Sequence, residues 1–204
     1  MGVIVFINGR SYMPEDARIS VFDRGLLFGD SVFETMGTYQ GRPFALKQHV
    51  RRLRRSAELV RIRFDCTDAE LIAEIEAAIG CADNAESYIR VIVTRGSGEL
   101  GLDPALAVDP QRIIIVSPLN RPPPSAYANG VAAVTVHTNR ATDASDAVGA
   151  KVGNYLVAVL AMEKARAASA NEALIVDRRG VIIEGATSNV FWVESGKLWT
   201  PPET

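Results

Sequence analysis

The chain has 204 residues, 48% of them hydrophobic, enough to bury a sizeable core as one large domain or two small ones. Its 22 basic and 24 acidic residues give a formal net charge of -2, which removes the long-range electrostatic reason to expect a nucleic-acid or membrane-surface partner. No stretch approaches the roughly 20 apolar residues that span a bilayer, and MGVIVFINGR lacks the parts of a signal peptide, so the cytoplasm is the expected compartment.

The chain opens with VIVFI (3–7) and Asn8-Gly9, a strand entering a tight hairpin, and VFETMGTY followed by Gln40-Gly41 repeats that pattern. Leu46, Val50, Leu53, Ala57 and Val60 recur at spacings of three and four, which predicts an amphipathic helix over 47–63. A second helix is predicted over 67–80, with Thr67 and Glu70 as a capping box and Gly80 at its end. Cys66 and Cys81 flank it. A helix of that length holds its ends roughly 20 Å apart, far beyond the Cα separation of about 7 Å that a disulfide tolerates. Two free thiols are expected.

YIRVIVTRG and RIIIVSPL read as strands rich in β-branched residues, so the first 120 residues form a two-layer α/β sandwich. The run Arg121-Pro122-Pro123-Pro124-Ser125 breaks all periodicity and is read as a linker over 121–125. Residues 126–204 then form a second domain. Its elements are a strand (VAAVTVHT), an irregular polar stretch from Asn139 to Gly149, an Ala-rich helix beginning near Asn154, and the strands ALIVD, VIIEG, NVFWV and KLWT. The expected class is α+β. With His49 and His137 the only histidines, and no Cys/His clustering, neither a zinc site nor a Ser-His-Asp triad is expected.

Two residues carry candidate chemistry. Lys151, in GAKVGNYL, precedes a helix whose positive end favours a neutral amine, the form that attacks an aldehyde; an ordinary solvated lysine is the alternative. Glu184, in VIIEGATSNVF, sits in an apolar strand, where an acid costs desolvation unless a cation meets it. A protonated pyridine nitrogen is one such cation, and a salt bridge or an exposed strand face are the other readings.

The pair KVGNYL and EGATSNVFWV resembles the fold-type-IV (class IV) pyridoxal-phosphate-dependent aminotransferases, which include branched-chain aminotransferases, D-amino-acid aminotransferases and aminodeoxychorismate lyases. INGR (7–10), DRGLLFGDSVFET (23–35), HVRRL (49–53) and TPP (200–202) match in the same order. The resemblance therefore covers essentially the whole chain. It implies that Lys151 binds the aldehyde of pyridoxal 5'-phosphate as a Schiff base, that Glu184 holds the ring nitrogen protonated, and that Arg52 binds the phosphate. It also implies cofactor contacts for Tyr155, Thr187, Ser188 and Asn189, although turn or strand-end roles equally explain the last three.

Tyr88, Arg90, Leu100 and Leu102 resemble substrate-site positions of the branched-chain enzymes, with Phe28 and Phe33 as aromatic walls. Phe28 stands where those bacterial enzymes have tyrosine. Leu100 and Leu102 replace the cations that D-amino-acid enzymes use as a carboxylate trap, and an apolar pair suits an aliphatic side chain. Ordinary core packing is the alternative for these residues. The resemblance thus implies transfer of an amino group from an L-branched-chain amino acid to 2-oxoglutarate by a homodimer or higher homo-oligomer. A D-amino-acid transaminase, an aminodeoxychorismate lyase, or a cofactor-free interaction domain are the alternatives. The family continues past the segment matching Pro201-Pro202, so the C-terminal domain, expected to be mostly β and barrel-like with helices, is expected to be truncated.

Overall fold

The computed structural model describes residues 2–137 and 149–202. They divide into two compact units, one holding the chain up to Asn120 together with Ala150–Gly153, the other holding the rest.

In the first unit, β1 (Ile4–Ile7) and β2 (Arg10–Tyr12) form a hairpin through Asn8 and Gly9, whose φ values of 49° and 82° make the two-residue turn that matches strand twist. α1 (Arg24–Phe28) leads into β3 (Ser31–Tyr39), which turns through Gln40-Gly41 in the same way into β4 (Arg42–Pro43). Then come α2 (Leu46–Leu59), α3 (Asp68–Ala82) and β5 (Ser87–Thr94). The short pair β6 (Ser97–Gly98) and β7 (Ala107–Val108) flanks a 3-10 turn at Pro104–Leu106, and β8 (Gln111–Pro118) closes the unit. The resulting six-stranded antiparallel sheet has the order β2-β1-β8-β5-β3-β4.

α2 and α3 cover one face of that sheet. Val50, Leu53 and Ala57 from α2 and Leu71, Ile75 and Ala78 from α3 pack on Val32 and Met36 of β3, Ile89, Val91 and Val93 of β5, and Ile114 and Val116 of β8. Each such fully buried Leu, Ile or Val contributes roughly 1.5–3 kcal/mol of transfer free energy. The capping box at the start of α3 is present. Thr67 Oγ1 accepts from Glu70 N at 3.2 Å, and the Glu70 carboxylate accepts from Thr67 N at 2.7 Å. Gly80 is not the end of this helix, which runs on to Ala82 and stops where Asp83 takes φ 48°. Glycine inside a helix costs only about 1 kcal/mol relative to alanine, and the packing of Ala82 in the core offsets it. α2 ends four residues before the predicted boundary because Arg61 adopts φ 55°. Cys66 and Cys81 are free.

The second unit holds α4 (Pro124–Asn129), β9 (Ala133–His137), α5 (Leu156–Ala167), β10 (Glu172–Val176), β11 (Ile182–Gly185), β12 (Trp192–Glu194) and β13 (Lys197–Trp199). The proline run leads directly into α4, since Pro124 opens a helix at a position where a missing N–H costs nothing. β9 and β10 are parallel, β11 pairs antiparallel to β10, and α5 lies on them through Ala161 and Ala165. β12 and β13 form a separate hairpin. Among the described residues these sheets are open. Of the polar stretch predicted over 139–149, residues 139–148 lie outside the described residues. Among the described residues, no helix is long and apolar enough to cross a membrane.

Candidate active site

In the first unit the candidate residues gather along β3. Ala150–Gly153, expected with the second domain, runs along the free edge of this strand: Val152 bridges to Val32, Phe33 N donates to the Lys151 carbonyl at 3.0 Å, and Gly153 N donates to the Ser31 carbonyl at 2.8 Å. Gly153 is required by that approach, because a Cβ there would overlap Ser31 Oγ. The Lys151 backbone N also donates to Ser56 Oγ of α2 at 3.1 Å. The lysine is thus fixed by backbone bonds from both a strand and a helix.

Neighbouring residues of a strand point to opposite faces. Phe33 and Glu34 accordingly serve two different clusters. Phe33, only 2% exposed, carries the Lys151 Nζ 4.6 Å from its ring centroid and the Arg90 Cζ at 4.4 Å. Arg90 reaches it from β5, where it pairs with Thr35, two residues along from Phe33 on the same face. Tyr88 shares this face, opposite Gly37. Lys151, Arg90 and Phe33 are therefore brought together on one aromatic ring, an arrangement in which the ring's negative face attracts both cations.

Glu34 faces the helices and is completely buried. Arg52 meets it with Nε on Oε1 at 2.5 Å and Nη2 on Oε2 at 2.7 Å, and His49 Nδ1 lies 2.8 Å from Oε2. Burial raises the carboxyl pKa, but the hydrogen bonds and charges of Arg52 and His49 outweigh it and hold the group below the usual carboxylate range. The Arg52 side chain itself is 55% exposed. Residues 52 and 56 are neighbours on one helix face, so Arg52 stands one turn from the serine that holds Lys151. Sequence reasoning missed Glu34 and His49. The available signal was an acid between the apolar Val32 and Met36 on the inward face of a strand, together with His49 and Arg52 three residues apart on the helix that covers it.

A third cluster explains the DRGLLFGD segment. Asp23, fully buried, caps α1 by accepting from Gly25 N at 2.8 Å and is itself held by Thr94 Oγ1 at 2.8 Å. Arg24 then donates to Asp30 at 3.1 Å and to the carbonyls of Gly101 and Leu102 at 2.8 and 3.2 Å. Its guanidinium also lies 5.0 Å from the Phe28 ring centroid. Phe28 and Leu102 are therefore linked through one arginine, yet in this chain Phe28, Leu100 and Leu102 are 42%, 71% and 79% exposed.

In the second unit, Glu184 is half-buried on β11 opposite Ile175. Tyr155 is half-buried at the N-cap of α5. The Thr187 and Ser188 hydroxyls both donate to Glu172 Oε2, at 2.6 and 2.8 Å. Burial pushes the Glu172 pKa up, but those hydroxyls and the Ala173 backbone N–H bring it below its ordinary value. Asn189 is exposed. Taken one by one, and by the chemistry of their side chains alone, three of these residues carry groups of the kind that pyridoxal phosphate binds. Lys151 carries a primary amine, which condenses with aldehydes, Arg52 a half-exposed guanidinium, which suits phosphate oxygens, and Glu184 a carboxylate, which pairs with a protonated ring nitrogen.

Residues 31–204 match the sequence model described as "Amino-transferase class IV". The chain belongs to the class IV aminotransferases. Members of this class depend on pyridoxal phosphate. Among similar class IV proteins, a "Putative branched-chain-amino-acid aminotransferase" of Methanocaldococcus jannaschii is 38% identical over 97% of this chain and 68% of its own length. The D-alanine aminotransferase of Bacillus licheniformis is 30% identical over 98% of this chain and 69% of its own. The crystal structure of the Escherichia coli branched-chain amino acid aminotransferase superposes with a TM-score of 0.89 at 30% identity, covering 99% of this chain and 68% of that one. This class IV chain thus spans about two thirds of the length of these relatives, and it shares the fold of the Escherichia coli enzyme.

Proposed function

We propose that this class IV aminotransferase transfers the amino group of an L-branched-chain amino acid to 2-oxoglutarate, with Lys151 as the catalytic residue. The observation that carries the catalytic part is the placement of Lys151. Its backbone is pinned to Phe33 and Ser56, and its amine is held over the Phe33 ring beside Arg90.

When bound, pyridoxal phosphate supplies an electron-withdrawing ring that stabilises negative charge at the amino acid Cα. The chain's own part is to bind, orient and move protons. Lys151 would hold the cofactor's aldehyde carbon through its amine, and that amine, when free, would serve as the base and acid that moves the proton of the substrate Cα. Glu184 holds a proton at the ring nitrogen. We assign the phosphate to Arg52, and, on the family resemblance, cofactor contacts to Tyr155, Thr187, Ser188 and Asn189.

Substrate choice rests on Leu100 and Leu102, with Phe28, Phe33, Tyr88 and Arg90 as further contacts. An aliphatic side chain gains from burying such leucines, and no cation stands at either position to trap a carboxylate. The similarity to the branched-chain-amino-acid aminotransferase of Escherichia coli, 31% identical over 98% of this chain, supports this reading. The similarity to a D-alanine aminotransferase supports a second one, a D-amino-acid transaminase. A panel of L- and D-amino acids assayed with 2-oxoglutarate and with pyruvate decides between them. L-Leucine, L-isoleucine and L-valine are expected to react fastest, and faster turnover of D-alanine than of every branched L-amino acid would select the second reading. We also infer a homodimer, which sedimentation at micromolar concentration tests.

A further inference from the structure

We propose that Glu34 is a positioning residue for the anion-binding face of the site: by gripping one edge of the Arg52 guanidinium from inside the core, it fixes where Arg52 meets the cofactor phosphate. This rests on the reading of Arg52 given under the proposed function.

The geometry is specific to that task. Arg52 is a long side chain, more than half exposed, on the outer part of α2. Such a side chain ordinarily samples many rotamers and loses about 2 kcal/mol of entropy when it is fixed on a ligand. Here Nε and Nη2 are both engaged by a carboxylate with 1% side-chain exposure, at 2.5 and 2.7 Å. A bidentate pair fixes the plane of the guanidinium as well as its position. Glu34 occupies two of the five N–H donors that an arginine carries. Its own orientation is set in turn by His49 Nδ1 at 2.8 Å; since an ionised carboxylate only accepts, Nδ1 carries the proton.

The cost of this arrangement argues against a purely structural role. Glu34 sits among Val32, Met36 and Thr38 on the buried face of β3. Burying the Glu34 carboxylate costs desolvation, and a pairing that offsets this cost adds little net stability over an apolar residue of similar volume. What it does provide is a fixed cation reaching from the core to the surface, one helical turn from the Ser56 that holds Lys151. Because Phe33, next in the chain, carries the Lys151 amine, β3 sets the lysine with one residue and the arginine with the next.

The test compares affinity for pyridoxal phosphate with affinity for pyridoxal, which lacks the phosphate, by absorbance or fluorescence titration of wild type, Glu34→Gln and Arg52→Ala. The ratio of the two dissociation constants isolates the phosphate contribution and needs no turnover. Arg52→Ala is expected to collapse this ratio. Glu34→Gln is expected to lower it roughly tenfold, as removal of an orienting group does in metal sites, with pyridoxal affinity unchanged. If Arg52→Ala leaves the ratio intact, the Arg52 reading fails and the inference with it. If Arg52→Ala lowers it and Glu34→Gln does not, or if Glu34→Gln weakens both ligands equally, Arg52 keeps its role and the positioning role of Glu34 is overturned. Should Glu34→Gln not fold, Glu34→Asp, which keeps the buried anion but withdraws it by one methylene, is judged on the same ratio.

Discussion

The amine of Lys151 lies 4.6 Å from the ring centroid of Phe33, and the backbone N–H of that same phenylalanine donates to the Lys151 carbonyl at 3.0 Å. One residue of β3 therefore fixes the lysine at both ends. A side chain that must hold an aldehyde carbon and then move a proton gains from such fixation, because misplacement by about 1 Å can cost on the order of a hundredfold in rate.

Gly153 makes this docking possible, and its replacement should show it. In Gly153→Ala the new Cβ meets Ser31 Oγ, while the Ser31 Cβ stays at 3.5 Å, an ordinary contact. The single variant is expected to lose about 1–3 kcal/mol by overpacking and to lose activity with it. Adding Ser31→Ala removes the colliding oxygen, so the double variant should recover both. Urea melts with activity assays measure this, and a double variant no better than the single one would show that the Ser31 contact is not what holds the segment.

Asp30 binds Arg24 at 3.1 Å and Arg95 at 2.7 and 2.9 Å, and Arg95 also donates to the carbonyls of Val60 and Arg61. Burial raises the Asp30 pKa, but the two arginines outweigh it and leave it below the ordinary aspartate value. A carboxyl with a depressed folded-state pKa contributes stability above its unfolded pKa and loses it as pH falls through the folded value. Asp30→Asn is therefore expected to cost about 3 kcal/mol at pH 7, the low end for a broken buried pair. The gap to wild type should begin to narrow below about pH 4, where the unfolded-state aspartate protonates, and go on narrowing as pH falls through the lower folded-state value. Denaturant melts of both proteins across that range check the sign; a gap that widens with acidity would refute it.

Glu184→Gln replaces a carboxylate by an amide that cannot hold a proton on the ring nitrogen. Transamination is expected to fall on the order of a hundredfold, while pyridoxal phosphate still binds and still forms a borohydride-reducible link. Full activity in this variant would remove Glu184 from the site.

How much of this was legible in the sequence depends on how local the cause is. Thr67 and Glu70 lie within one turn, so their capping box could be read directly, as could the Asn8-Gly9 and Gln40-Gly41 hairpins, where two adjacent residues with positive φ make the turn. Gly80 misled because a helix passes through a glycine when the residues beyond it, here Ala82, pack in the core. α1 has five residues, too few to show a period, and it exists because Asp23 caps it from a buried position held by Thr94, 71 residues away. Lys151 and Glu184 stood out through their motifs. The partnership of Glu34 with Arg52 and His49, and the pairing of Val152 with Val32, join segments whose register only the folded sheet sets.

The most direct measurement is the identity of the residue that carries the cofactor. The protein is incubated with pyridoxal phosphate, reduced with borohydride, digested and mapped by mass spectrometry, with Lys151→Ala alongside. The account predicts an absorbance band near the visible edge that vanishes on reduction, a phosphopyridoxyl mass on the Lys151 peptide, and neither band nor specific label in Lys151→Ala, which remains folded but inactive. A label distributed over Lys47, Lys164 and Lys197 with Lys151 unmodified, or an active Lys151→Ala variant, would contradict it.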